Sequence, residues 1–357
     1  MVGPRIAMVY TKRHMIHRPS TASPENPERI EKIYRYVYGK KDSMPFLNII
    51  EDFEPAKLSD LLRVHERNYV DFVRNYCNRG GGFLGNSTYF GKNSYIAATY
   101  AAGGAIKAAD IVYSREYDFS FALVRPPGHH ASSDKYGGFC IFNNGAIAAR
   151  YLQEVRGAKR IMFIDWDAHA ANGTMEVFYD DPTVLLISIH RDPNIAYPHD
   201  GFLHQIGRGR GRGYTINIEM PEGSGDAEYA RVFNEIIAPV YRQYSPDFVI
   251  GCNGFDSYYK DPYEKLMLTA QGYYEFVGSI AKLVGKNRFM VLMEGGYNKD
   301  NGLLTEIILN AMAGVEMEFE DSLDTLSSSM MRREKVSKVL DDKLRDLKNI
   351  LSDFFDL

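Results

Sequence analysis

The sequence predicts an α/β protein, a mostly parallel central sheet with helices on both faces. Short and almost wholly apolar runs recur at residues 5–10, 119–124, 160–164, 184–189, 214–218, 248–251 and 289–293. Strands that are apolar on both sides belong to a sheet buried on both faces. Helical patterns fall between these runs, and strand–helix alternation marks parallel βαβ construction.

In chain order, residues 5–10 form the first strand. Residues 11–27 are polar and hold His14, His17, Pro19, Pro24 and Pro27, which reads as a long surface loop of the kind that often carries function. Pro27 then opens a helix, since the first turn tolerates a missing N–H. Residues 69–76 and 95–112 follow as helices, the second rich in alanine and suited to close packing on a sheet. The glycine-rich segment 79–93 between them reads as a loop. Helices are further expected at 143–155, 173–179, 227–244, 270–283 and 303–312. After residue 318 comes a serine-rich link. Val336, Val339, Leu340, Leu344, Leu347, Leu351 and Phe355 then recur at helical steps. This division places a catalytic domain at 1–318 and a linker with an amphipathic helix at 319–357. The helix is expected to pack back on the domain, with self-association as the alternative.

A content of 25% charged and 45% hydrophobic residues fits a globular chain with a full core. The net charge of −4 gives no reason to expect direct nucleic-acid binding. Cys77, Cys140 and Cys252 lie far apart with no CxxC pair, which argues against a disulfide framework or thiolate zinc site and suits a reducing compartment. No apolar run reaches membrane-spanning length and no leader pattern opens the chain. The expectation is a cytoplasmic enzyme with no membrane association.

In open parallel sheets, ligands bind beyond the carboxyl ends of the strands. The residues just past each predicted strand are Arg125 to His130, then Asp165, Asp167 and His169, then His190, then Asn253 to Asp256, and finally Glu294 to Tyr297. Turn chemistry explains any one of these sets but not all five on one rim. Asp165, Asp167 and His169 alternate with Trp166 and Ala168, so an extended backbone puts them on one face. Asp167, His169 and Asp256 offer oxygen and nitrogen ligands with a position left open, the arrangement of metal-assisted hydrolysis. Zinc is favoured for activating water near neutrality; iron(II) and cobalt fit the same ligands. His129 and His130 suit proton transfer, Tyr297 can donate to a carbonyl oxygen gaining charge, and Asp165 can orient a histidine.

Taken together, residues 125–130, 137–144, 165–174, 254–256 and 294–298 resemble the zinc-dependent histone deacetylase family, over roughly residues 1–315. Trp166, Asn172 and the Glu-Gly-Gly-Tyr-Asn ending resemble its class II and acetylpolyamine amidohydrolase members. The resemblance implies the arginase/deacetylase-like fold, with zinc on Asp167, His169 and Asp256. His130, partnered by Asn172, would be general base and acid; His129, held by Asp165, would stabilise charge; Tyr297 would polarise the acetyl carbonyl. It further implies potassium at Asp165, Asp167 and Ser188 with the backbone of His169 and Ile189. A second potassium would sit among Phe178, Asp181, Val184 and Tyr214. Gly138, Phe139 and Tyr197 match the walls of a narrow acyl-lysine tunnel, Tyr263 its rim, and Arg29 the internal channel for acetate. Plain core packing would also explain the aromatic residues, and a helix-surface ion pair would explain Arg29.

The sequence departs from the family pattern in places. Ala170-Ala171 replaces His-Gly after the metal histidine, Tyr258 stands where a histidine is common, and residues 80–93 hold no acid of the kind that anchors a substrate backbone. Tyr197-Pro198-His199 resembles the acetylpolyamine branch. The expected function is removal of acetyl groups from acetyl-lysine in protein, with acetylpolyamine as the alternative substrate. A low-turnover, metal-bound acyl-lysine-binding protein and an arginase-type hydrolase are the further alternatives. The loops 11–27 and 79–93 are where a homo-oligomer would close over the tunnel.

Overall fold

The computed structural model describes residues 3–19, 22–85, 87–321 and 330–357; most of the serine-rich link lies outside them. Ten strands are present: β1 (Ile6–Val9), β2 (Leu47–Ile50), β3 (Gly81–Phe83), β4 (Tyr89–Gly91), β5 (Phe119–Ala122), β6 (Ile161–Asp165), β7 (Val184–Arg191), β8 (Thr215–Met220), β9 (Phe248–Asn253) and β10 (Phe289–Met293). Eight of them make one sheet in the order β2-β1-β5-β10-β9-β6-β7-β8, and every pairing is parallel. Because the strands all point one way, the segments following β5, β10, β9, β6 and β7 share one edge. That edge carries the polar residues singled out above.

Both faces of the sheet are buried, as the apolar strands require. One core cluster joins Met162, Ile164, Leu185, Ile187, Val249 and Val291 to helices that include Ala270–Val284 and Asn301–Ala313. The other joins Phe163, Leu186, Ile250 and Leu292 to Ser94–Tyr113 and Asn144–Arg156. The alanine-rich face of Ser94–Tyr113 lets it lie close to the sheet. The C-terminal helix, Met330–Leu351, buries Leu340, Leu344, Leu347 and Leu351 in the first cluster, each contributing about 1.5–3 kcal/mol. Val339 stays exposed. Among the described residues, no helix is long and apolar enough to cross a membrane.

Four local expectations need correction. The helix expected over 227–244 is two segments, Asp226–Val232 and Ala238–Tyr244, joined by a π turn at Phe233–Ile237. Pro239 lacks an N–H, and the wider turn absorbs the missing bond. The edge strand β2 follows Pro45 and is only partly buried, too short a signal to read. The loop 79–93 contains the β3–β4 hairpin.

The segment 11–27 is a surface loop only in part: among its described residues Lys12, Arg13, Arg18 and Ala22 are exposed, whereas others turn inward. Lys12–Ile16 forms a 3-10 turn, and His14, His17 and Glu25 are buried. Arg125, from beyond β5, reaches into the segment and is itself fully buried. It donates to both Glu25 carboxylate oxygens at 2.5 and 2.9 Å, and to the carbonyls of His14 and His17 at 3.0 and 2.5 Å. Polar composition read locally signals solvent; here a distant guanidinium satisfies the polar groups instead.

Breaking such a pair from one side strands a buried charge. Arg125→Met is expected to destabilise the protein by about 3–5 kcal/mol in urea denaturation. Burial favours protonated Glu25, yet Arg125, His17 and Arg29 hold its carboxyl below the usual range. A depressed carboxyl stabilises the fold above its unfolded pKa of about 4.3. That contribution is lost as pH falls through the folded value, so the gap between wild type and variant should narrow in acid.

Candidate metal centre and active site

The loops at the carboxyl edge enclose a pocket of about 210 Å³ lined by His129, His130, Gly138, Phe139, Asp167, His169, Tyr197, Asp256 and Tyr297, among others. The extended alternation expected of residues 165–169 stops at Asp165, where β6 ends. The chain then turns, with Asp165 accepting the Asp167 N–H and Asp167 accepting the His169 N–H. Trp166 points the other way into the core, its indole N–H on Asn253 Oδ1 at 2.7 Å.

Asp167, His169 and Asp256 converge. His169 Nδ1 stands 3.0 Å from Asp167 Oδ1 and 3.1 Å from Asp256 Oδ2. The remaining oxygens are tied to backbone: Asp167 Oδ2 accepts from Gly295 at 2.8 Å and Asp256 Oδ1 from Ala168 at 2.9 Å. One ligand atom from each residue lies within 4.8 Å of the others. Burial, together with the Asp167 charge, pushes the Asp256 carboxyl up to about 7, whereas the neighbouring histidines hold Asp167 low. Two dry carboxylates facing one imidazole nitrogen form a donor set that fits a divalent cation, with the three-ligand count of open metal sites.

The tandem histidines have different environments. His129 Nδ1 is 3.1 Å from Asp165 Oδ2; burial opposes its charging, but Asp167 and Asp165 push it up to about 10. His130 Nδ1 is 2.7 Å from Asn172 Oδ1, and burial with the charge of His129 and His169 holds it well below the usual range. Gly138, at φ +50°, fits here because any Cβ would come within 2.2 Å of the His130 ring. The Tyr297 ring neighbours Phe139, with centroids 5.9 Å apart, and Tyr263 at 6.1 Å. Burial raises its phenol well above the ordinary value, against the pull of Arg29.

Arg29 is buried under the site and is no surface ion pair. Its guanidinium donates to the carbonyls of Glu294, Gly295 and Gly296 and lies 4.9 Å from the Tyr297 ring centre. Tyr197 and Tyr263 are exposed at the mouth. Ser188 lies beside Asp165 on the neighbouring strand, and Ile189 follows it. Phe178, Asp181, Val184 and Tyr214 are not brought to the pocket: they surround the start of β7, where the Asp181 carboxylate pairs with Arg150 at 2.7 Å. Ala171 is accommodated in the core with Met175 and Phe178, and Ala170 is buried. Tyr258 is buried in the core and bonds Asp321.

Three residues escaped the sequence reading. Glu294 falls on the predicted rim and in the Glu-Gly-Gly-Tyr-Asn motif, but the sequence assigns it no role; its carboxylate accepts the backbone N–H groups of Gly128 and His129 and, buried, is pushed up to about 7. Asp261 accepts the Tyr297 N–H at 3.0 Å. Glu264 stands beside His169. An acid next to Tyr263 was visible in sequence, but its aim was not.

Residues 23–312 match the histone deacetylase domain. A probable deacetylase from Archaeoglobus fulgidus is 35% identical over 98% of each chain. Another, from Methanothermobacter thermautotrophicus, is 36% identical over 80% of this chain and 86% of its own. The crystal structure of an HDA15 HD domain superposes with a TM-score of 0.87 at 29% identity, covering 99% of this chain and 95% of that one. The fold is therefore that of the arginase/deacetylase class. The chain belongs to the histone deacetylase domain family, a family of deacetylase hydrolases.

Gly295 lies against both carboxylates of the trio, and a Cβ there would come within 2.5 Å of Asp167 and 2.6 Å of Asp256. Gly295→Ala should weaken divalent-cation binding by about 10–100-fold, the range for disturbing a metal-site support. Chelator competition checks this, with circular dichroism to verify the fold.

Proposed function

We propose that the protein is a zinc-dependent deacetylase that hydrolyses the acetyl amide of a slender aliphatic amine, acetyl-lysine in protein first. The observation that carries this reading is the convergence of the Asp167–His169–Asp256 trio with His130 and Tyr297 in one narrow pocket. Zinc on the trio would supply a Lewis acid that lowers the pKa of water towards neutrality.

The chain's own groups supply the rest. With its Nδ1–H donated to Asn172, His130 presents the Nε2 lone pair to the pocket, and burial keeps it neutral so that this lone pair is free to take a proton. Water adds to the acetyl carbonyl carbon as its proton passes to His130 Nε2. The Tyr297 phenol stays protonated and donates to the carbonyl oxygen as it gains charge. His130 then delivers the proton to the amine nitrogen as the C–N bond breaks, giving acetic acid and amine, which part as acetate and the protonated amine once the acid proton passes to the amine. His129, oriented by Asp165, stabilises charge beside it. Gly138, Phe139 and Tyr197 grip the alkyl stem, Tyr263 forms the rim, and Arg29 faces the exit for acetate.

Acetylpolyamine is the second substrate reading, favoured by Tyr197-Pro198-His199 at the mouth and by the missing acid in residues 80–93. A low-turnover acyl-lysine binder is a weaker reading, since Ala170 and Ala171 are buried while His169 still faces Asp167 and Asp256. Potassium at Asp165, Asp167, Ser188 and the His169 and Ile189 backbone would relieve carboxylate repulsion. The second potassium would rest on backbone carbonyls around Phe178, Val184 and Tyr214, because Arg150 already engages Asp181. The catalytic unit spans residues 1–318, with 319–357 as its linker and packed helix. A cytoplasmic location completes the reading.

Zinc-loaded protein is expected to deacetylate an acetyl-lysine peptide faster than N-acetylputrescine, assayed side by side. The reverse order would select the polyamine reading. Tyr297→Phe should lower kcat by about 10²–10³-fold with substrate binding largely kept. No turnover of either compound by protein holding one zinc per chain would sink the enzyme reading for both.

A further inference from the structure

Glu264 is almost buried, its side chain 10% exposed, and is used by nothing described above. One carboxylate oxygen stands 3.1 Å from His169 Nε2, while the other is held by the Arg191 guanidinium from the end of β7. The loop that carries it is itself fixed. Asp261 Oδ1 accepts the backbone N–H groups of Tyr263 and Glu264, and its Oδ2 accepts that of Tyr297. Arg191 is joined to the metal loop as well, its backbone N–H donating to the Ala168 carbonyl at 3.0 Å. The phenol, the imidazole and the strand end thus share one short buckle.

An imidazole can offer a cation only the nitrogen that carries no proton. A carboxylate accepts and never donates when ionised, so Glu264 selects the tautomer with the proton on Nε2. With a cation seated among Nδ1, Asp167 Oδ1 and Asp256 Oδ2, which stand 3.0 and 3.1 Å from that nitrogen, Nδ1 carries the lone pair and the proton sits on the Glu264 side. The Arg191 pairing keeps the second Glu264 oxygen from turning towards the cation as a competing ligand. We propose that Glu264, anchored by Arg191, is a positioning residue that fixes the tautomer and orientation of His169 and so sets the affinity of the site for its divalent cation. This rests on reading Asp167, His169 and Asp256 as a metal site.

Outer partners of metal-bound imidazoles typically change affinity by about 10–100-fold. The full chain, stripped by chelator and reloaded, would be titrated with zinc against a competing chelator as wild type, Glu264→Ala and Glu264→Gln. The zinc-loaded forms would also be compared by ¹H–¹⁵N correlation of the histidine rings. Glu264→Ala should weaken zinc about 10–100-fold and lose the slowly exchanging Nε2–H of His169. Glu264→Gln keeps an acceptor without the charge and should lose less affinity while retaining that proton. Wild-type affinity with an unchanged His169 signal in Glu264→Ala overturns the proposal. Should Glu264→Ala not fold, Glu264→Gln decides: weaker zinc binding supports it, wild-type affinity overturns it. Wild-type protein that binds no zinc would fail the metal reading itself, and the role of Glu264 with it.

Discussion

Negative charge held out of water at the carboxyl edge of the sheet is the constraint on which the rest of the structure depends. Asp165, Asp167, Asp256 and Glu294 are all almost completely buried there. Uncompensated carboxylates cannot persist in such a place. Each is therefore given N–H donors, from the backbone of Gly128, His129, Gly295 and Ala168 or from the His129 ring. Beside His169 Nδ1 donors are scarce, since Asp167 Oδ1 takes a backbone N–H only from His169 and Asp256 Oδ2 meets the imidazole alone, so charge is left over. That surplus is what a divalent cation would neutralise.

The same constraint explains the glycines and the small residues around the edge. A backbone N–H can reach a carboxylate only if no side chain stands between them, and Gly295 and Gly254 both press on Asp167 and Asp256. It also explains two of the buried arginines. Arg29 collects the carbonyls of Glu294, Gly295 and Gly296, holding the Tyr297 turn from below. Arg125 binds the 11–27 segment over Glu25. Both guanidiniums are buried, and both donate to groups that shape the walls of the site.

The two adjacent histidines illustrate how surroundings divide labour between identical side chains. A carboxylate behind His129 favours its charged form, and an amide behind His130 does not. Burial then pulls His130 to the neutral side. The difference comes from Asp167 and Asp165 beside His129, against Asn172 and the neighbouring imidazole charges around His130. It produces one imidazole suited to holding charge and one suited to moving a proton.

Much of this was legible along the chain. Apolar strands and their order of recurrence determined a buried parallel sheet, because only such a sheet needs side chains apolar on both faces. The polar residues just past those strands marked the rim, because parallel strands all deliver their ends to one edge. What only the tertiary structure decided lies between residues far apart in sequence. The burial of His14, His17 and Glu25 depends on Arg125, about a hundred residues on, and no local composition records a distant guanidinium. The place of Glu264 beside His169 depends on how the loop after β9 folds against the end of β7. Sequence spacing determines which face a strand residue takes; which nitrogen of a histidine meets which oxygen is set by packing across the sheet.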